Sequence, residues 1–359
     1  ENEILQDQKR WNEEIHIRTG PLGALLGELG VWLSRGTTDN FVDRSIPGLF
    51  PIEVSGFEEG DSSAALFGEI SYALAPGIAA TVGLRGESDG KEFTRHEEAP
   101  TPGLVYAGSA RYDALLPRLA VDWTAPDGSH ADASVAFGLR PGGFSSFTDN
   151  PLLIPFASER TTAYSVGWDR ALAGRSLRLA VRAFYDAISN LQIERSFTAA
   201  DYFVATAPRG HSVGAEVEGT WHPSPEWTVG AAAGLSCVRL DSFTAPINGR
   251  DESGNEAPGA PLYNAGLEAT YRPARGWFAS GQLTLVGATR YDELGTGRYT
   301  QGAYSLAALR AGYETPRWSF TLYGDNLGNT AYYALIVPGV NSGAPGAPRT
   351  VGARAALKF

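Results

Sequence analysis

The stretch VGARAALKF, Val351 to Phe359, alternates without a break: Val351, Ala353, Ala355, Leu357 and Phe359 are apolar, while Gly352, Arg354, Ala356 and Lys358 are small or cationic. A period of two is a β-strand with one apolar and one polar face. In a soluble sandwich the apolar face turns inward. In a membrane barrel it turns outward to lipid, and the polar face lines the lumen. Nine residues suit a tilted membrane-crossing strand of about 9 to 11 residues. The remainder of the chain has to choose between the two readings.

Other segments repeat the pattern. Leu177, Leu179, Val181, Ala183 and Tyr185 alternate with Arg178, Ala180, Arg182 and Phe184, and Trp227 to Cys237 does the same. Charges occur in mid-strand on the polar faces, at Arg85, Arg118, Asp122, Glu216, Glu218 and Glu268. The connections discriminate better. Short ones (GPLGA, APG, APDGS, DRALAGR, HPSPE, RPARG, TPR) alternate with long stretches near 35–63, 87–112, 140–160, 189–212, 239–261, 287–302 and 327–348. Short periplasmic turns facing longer extracellular loops are the pattern of outer-membrane barrels. A sandwich gives no reason to sort loops by length.

Tryptophan placement points the same way. Of eight Trp, six lie beside a short turn: Trp123, Trp168, Trp221, Trp227, Trp277 and Trp318. Indole rings favour the membrane interface, where the ring body meets acyl chains and the N–H meets water, so these six form an expected girdle. The fold expected is all-β: an antiparallel transmembrane β-barrel of about 14–16 strands filling residues 1–359. The count of turns and loops gives about fifteen strands, an odd number where such barrels have even ones, so either the count is off by one or residues outside this chain complete the closure.

Composition bounds the function. Charged residues make up 19% of the 359 positions and Gly occupies 43 of them. No apolar run approaches 18 residues, which excludes a transmembrane helix. A net charge of -11 without Lys/Arg clusters leaves no basic stripe for nucleic acid. With no Met and no signal-peptide pattern at Glu1, the chain reads as a processed or partial product. Cys237, the single cysteine, falls on an apolar strand face. The five His show no metal-ligand spacing, GLSCV lacks the second Gly of a nucleophile elbow, and the acidic runs FEEGD and HEEAP lie in long loops. Neither an enzyme nor a cofactor or metal site is expected.

The closing stretch DNLGNTAYY (Asp325 to Tyr333), followed by a loop and APRTVGARAALKF, resembles the end of TonB-dependent outer-membrane receptors. EEIHIRTG, YDALLPRLAVDW, FGLRPGGF, FYDAISNLQI and GAEVEGTW resemble earlier strands of that family in order. The resemblance implies the later part of a barrel of about 22 strands, in the outer membrane of a Gram-negative bacterium. Plug, TonB-interacting box and first strands have no counterpart here, so the family's partners are expected from a second chain or a missing N-terminal segment. Engagement of the TonB complex follows only if that segment exists; outer-membrane lipid is the other partner. The implied function is uptake of a ferric siderophore or similarly scarce ligand; the alternative is a plug-less passive channel or a structural barrel subunit. A soluble β-sandwich binding module is a third reading.

Within that frame, the aromatic and Arg residues of two long loops are candidate ligand contacts. They are Arg290, Tyr291, Arg298 and Tyr299 in RYDELGTGRY, and Tyr202, Phe203 and Arg209 in ADYFVATAPRGH. Rings supply stacking area and guanidinium groups meet carboxylates or catecholate-type chelates. RPGG (Arg140 to Gly143) reads as a strand-ending turn. Terminal Phe359 resembles the aromatic end by which such barrels are recognised for insertion.

Overall fold

The structure, a computed structural model, describes residues 2–20, 23–45, 51–99, 102–148, 150–172, 174, 176–196, 202–246, 249–292, 297–338 and 342–357. Lys358 and Phe359 lie outside them. Regular structure among the described residues is β. In chain order the strands are β1 (Asn2–Arg18), β2 (Leu25–Ser45), β3 (Pro51–Ala75), β4 (Ile78–Ala99), β5 (Gly103–Thr124), β6 (His130–Arg140) and the short pair β7 (Gly143–Phe144) and β8 (Pro155–Phe156). Next come β9 (Glu159–Leu172), β10 (Leu177–Ser196), β11 (Tyr202–Trp221), β12 (Trp227–Ser242), β13 (Tyr263–Tyr271) and β14 (Gly276–Val286). The series ends with the pair β15 (Thr289–Arg290) and β16 (Thr300–Gln301), then β17 (Tyr304–Glu314), β18 (Trp318–Asp325), the pair β19 (Tyr333–Val337) and β20 (Ser342–Pro345), and β21 (Thr350–Leu357).

Fifteen of these form one sheet in which each strand pairs antiparallel with the next in sequence, from β1 at one edge to β21 at the other. β7/β8, β15/β16 and β19/β20 are hairpins inside long connections. Because direction alternates along an odd row, β1 and β21 run the same way, toward the short turns. They cannot complete an antiparallel ladder with each other.

The short turns are set by local chemistry. Gly77 adopts φ 76°, and a Cβ on it would collide with the Thr124 carbonyl. Gly128 adopts φ 82° and donates to Ala125 O at 3.0 Å, while Asp127 Oδ1 accepts from Ser129 N at 2.9 Å. Asp127 is held below the usual carboxylate range by that backbone bond.

The long connections differ from the expected boundaries. β2 continues to Ser45 and β3 starts at Pro51, so most of 35–63 is strand; likewise β4 and β5 fill most of 87–112, and β10 and β11 fill most of 189–212. β3 runs for 25 residues, about twice what a bilayer needs. The physical reason is that a ladder of backbone hydrogen bonds persists beyond the membrane, whereas the need for an apolar outer face stops there. Alternation fades while pairing does not.

Two faces follow from strand parity. The outer face carries Leu29, Leu66, Val82, Leu119, Val166, Leu283 and Leu357, all exposed, as lipid-facing residues must be in a protein surrounded by acyl chains. The inner face carries paired charges, and several pairs are made through a glycine on the strand between them. Arg118 and Glu69 both face Gly83 across the ladder and meet at 2.7 Å. Arg10 and Asp61 flank Gly36 and meet at 3.3 Å, with Lys91 also bonded to Asp61. Arg182 and Asp132 flank Gly167 at 3.4 Å. In each trio the two charges stand two strands, about 10 Å, apart at Cα, and the missing Cβ between them leaves the side chains room to close the gap.

Side chains also lie flat over inner-face glycines, as Phe67 does over Gly30 and Phe278 over Gly312. Each ring fills the space its neighbour leaves. The exposed ion pairs contribute little individually, about 0–1 kcal/mol. Steric fit at the glycine is the larger effect. We therefore expect Gly312→Val, whose Cβ would collide with the backbone carbonyl of Phe320, to destabilise the barrel by about 1–3 kcal/mol. Arg182→Ala should cost under about 1 kcal/mol. Urea titration in detergent, read by the heat-modifiable gel shift, checks this; equal effects would show that charge rather than space sets the register.

Candidate functional site

Beyond the membrane-length part of the strands, polar-face positions turn aromatic. Phe57, Phe93 and Tyr106 lie on the same strand faces as Glu69, Arg85 and Arg118 respectively, by unbroken parity in β3, β4 and β5. On them sits segment 141–158, the connection from β6 to β9. Phe144 stacks on Phe93 (5.4 Å, 10°) and tilts on Tyr106 (5.7 Å), Phe147 meets Phe57 edge-on (5.7 Å, 88°), and Ile154 is fully buried among them. Leu153 packs instead against a second cluster built from Leu191, Ile193, Phe203, Ala205, Leu240 and Phe243. Adjacent residues of one connection thus fill two cores, one on β3–β5 and one on β10–β12.

Hydrogen bonds pin the segment along its length. Tyr202 N donates to Phe147 O at 3.0 Å and Val204 N to Ser145 Oγ at 3.0 Å. Gln192 Nε2 donates to Pro141 O and Ala157 O at 3.0 and 3.1 Å, and Asn190 Nδ2 to Ser158 O at 3.2 Å. Arg95, 1% exposed, donates to Ser146 O. Asn190 has φ 54°, a left-handed kink that Asn tolerates, and beyond it Leu191 turns onto the inner face over Gly210. Segment 141–158 is a strap across the inner face at the long-loop end, and Arg140 to Gly143 is its turn out of β6.

The seven candidate contacts fall in different places. Arg290, Tyr291, Arg298 and Tyr299 share one hairpin. Tyr291 N donates to Tyr299 O at 2.8 Å, Arg290 pairs with Glu256 at 3.1 Å, and the Arg298 guanidinium lies 5.2 Å over the Tyr299 ring. Tyr291 OH reaches Ala334 O at 3.4 Å, and burial pushes its hydroxyl pKa up, so the phenol stays a donor. Neighbouring Tyr304 and Tyr332 stack at 4.5 Å. Arg298 is exposed beside them.

Tyr202 and Phe203 belong to the strap's seat. Phe203 is 1% exposed within the second cluster, and Tyr202 is partly exposed, its hydroxyl held up in pKa by the partial burial and then by Glu194. Arg209 stands on the outer face of β11 with Val213 and Val217, away from the other six. The six Trp all point outward beside short turns, with exposures from 37% to 71%, and none packs into a core. Trp277, Tyr313 and Trp318 form a chain of ring contacts at 5.2 and 5.6 Å, and Trp227 meets Tyr271 at 5.2 Å.

Two features of this site lie outside the candidate set drawn from sequence: the strap and the aromatic seat formed by Phe57, Phe93 and Tyr106. The seat has a readable signal, namely Phe and Tyr at polar-face parity in strands longer than a bilayer requires. The strap has none, because its partners lie 32 to 90 residues away on separate strands. Among the described residues no group of His, Cys, Asp or Glu is arranged to hold a metal ion.

A family model, TonB-dependent receptor-like β-barrel, matches residues 2–327. The chain belongs to this family. It is one of transport receptors, and membership places the protein in the outer membrane of a Gram-negative bacterium. The chain is similar in fold to the ferric yersiniabactin uptake receptor FyuA from Yersinia pestis (TM-score 0.84, 19% identity, covering 100% of this chain and 55% of that one). It is similar also to the siderophore receptor PiuA from Acinetobacter baumannii (0.80, 14%, 98% and 56%) and to the copper transporter OprC (0.69, 14%, 99% and 57%). The chain therefore spans just over half the length of each.

Removing a ring from the seat should free the strap. Phe93→Ala is expected to cost about 3–5 kcal/mol at this cluster and to raise the rate of limited proteolysis within 141–158 by more than about tenfold. Unchanged cleavage, with the barrel still heat-modifiable, would mean the hydrogen bonds alone hold it.

Proposed function

We propose that this chain is the barrel portion of an outer-membrane receptor that takes up a ferric siderophore or a similarly scarce metal chelate. The observation that carries it is the combination of family membership with a long-loop end crossed by a strap fixed on buried rings. Two of the named relatives are siderophore receptors and one transports copper, which supports a metal-chelate cargo as a class.

In this reading the exposed Arg298 on Tyr299, beside Arg290 and Tyr291, supplies charge-assisted and stacking contacts to an anionic chelate. Tyr202 adds a second rim position. Trp123, Trp168, Trp221, Trp227, Trp277 and Trp318 anchor the short-turn side at the interface as a girdle, and Phe359 serves barrel insertion. The remaining strands and the plug come from residues other than these 359, since the two sheet edges run parallel and need an odd number of further strands between them. Through the plug, the periplasmic energy transducer would act on the complete receptor.

The test is growth of an iron-limited strain that lacks its own siderophore receptors, supplied with the complete gene and a panel of ferric siderophores. Rescue by at least one chelate is expected, and Arg298→Ala should raise the concentration needed by about tenfold, the worth of one charged hydrogen bond. Absence of rescue by any chelate, together with a large steady conductance in planar bilayers, would replace this proposal with the plug-less channel. For the girdle, brominated lipids labelled near the headgroup should quench Trp fluorescence more than lipids labelled at the chain ends. The reverse order would remove the interfacial assignment.

A further inference from the structure

The outer face carries a feature that a lipid-facing surface has no need of. Arg160 on β9 and Arg209 on β11 are both directly opposite Ser189 on β10, so they stand on the same outer face two strands apart. Both are exposed. Among the described residues neither has an ion-pair partner, whereas inner-face Arg10, Arg18, Arg85, Arg118, Arg182 and Arg310 all do. The nearby carboxylate, Asp241, is engaged by His211 at 2.7 Å. Arg239, opposite His211, adds a further cation on the same face.

The level of these residues along the barrel is equally specific. Arg209 lies twelve positions up β11 from the outward Trp221, about 40 Å of strand and, at a tilt near 45°, about 28 Å of height. That is close to the ~30 Å hydrocarbon thickness. The two arginines therefore sit where the outer edge of the hydrocarbon meets its headgroups, on the long-loop side.

Below them the surface is grooved. One groove of about 410 Å³ is lined by Leu115, Phe137, Tyr185 and Ala187 along with Arg160 and Arg209. A second, about 760 Å³ and almost wholly apolar, continues from the shared Tyr185 past Tyr164 and Val166 to Val82 and Leu119. Rings line the junction: Tyr164 and Tyr185 are 6.4 Å apart, and Tyr185 stacks on His211 at 5.9 Å. A paired cationic head above a long apolar trough has the shape of an anionic lipid in outline.

We propose that Arg160 and Arg209 bind a phosphate of a phosphorylated glycolipid in the outer leaflet, with its acyl chains lying in the trough across β4 to β10. Two guanidinium forks about 10 Å apart at Cα converge on one phosphate, which accepts bidentate hydrogen bonds from each. The site is independent of which ligand the receptor transports. It also gives Arg209 a role that its place on the outer face denies it in the lumen.

The experiment is native mass spectrometry of the complete receptor in mild detergent, titrated with bis-phosphorylated lipid A, with the same lipid dephosphorylated, with phosphatidylglycerol and with inorganic phosphate. Wild type should retain one lipid A through activation energies that strip detergent. Arg160→Gln/Arg209→Gln should weaken this by more than about tenfold, while Arg111→Gln, outward on β5, should not. Retention of dephosphorylated lipid A or phosphatidylglycerol as strong as that of lipid A would overturn the assignment, as would displacement of lipid A by inorganic phosphate. These comparisons use wild type alone, so they stand even if the double variant inserts poorly. Unchanged binding by a correctly folded double variant would overturn it equally.

Discussion

Inside hydrocarbon no water is available to the backbone, so every peptide N–H and C=O must find a partner within the protein. In this chain the partner is the neighbouring strand along a row of fifteen, save on the open sides of β1 and β21. All else in the structure depends on that ladder. It sets the period of two, sends Leu and Val to lipid, and leaves the inner face free for charge. It also explains why pairing runs past the bilayer in β3, β4, β10 and β11: once two strands are in register, the next hydrogen bond costs little and needs no apolar face.

The ladder also creates the problem that glycine solves. Side chains on the same inner row stand about 5 Å apart on adjacent strands and about 10 Å on alternate ones. Arg10 with Asp61, Glu69 with Arg118 and Asp132 with Arg182 meet over Gly36, Gly83 and Gly167. With so much Gly in the chain, composition alone suggests looseness. In the fold several of these glycines are contact positions, spaces already taken by a neighbouring ring or charge.

Much of the architecture is legible in the residues themselves. Turn signals such as APG and APDGS fall at tight connections, and Trp marks one rim. The odd strand number survives as a real property of the row. The loop boundaries were less legible, since outside the membrane nothing forces alternation on a strand that is held by backbone bonds alone. Of the candidate contacts, Arg290 to Tyr299 do form one local hairpin, because a hairpin is decided by nearby residues. Phe203 and Arg209 belong to one strand but to different surroundings. The left-handed turn at Asn190 on the paired strand falls between their levels, and the register shifts between Arg209 and Gly210.

By itself the sequence determined the strand class, the two faces and the order of short and long connections, because each depends on neighbours within about ten residues. Only the tertiary structure decided which distant residues share a level. Arg160 and Arg209 are 49 positions apart, as are Glu69 and Arg118, and the strap residues Phe144 and Phe147 meet rings 38 to 90 positions away. Such meetings depend on register summed over two or more strands, and a shift of one residue would turn every one of these side chains to the opposite face.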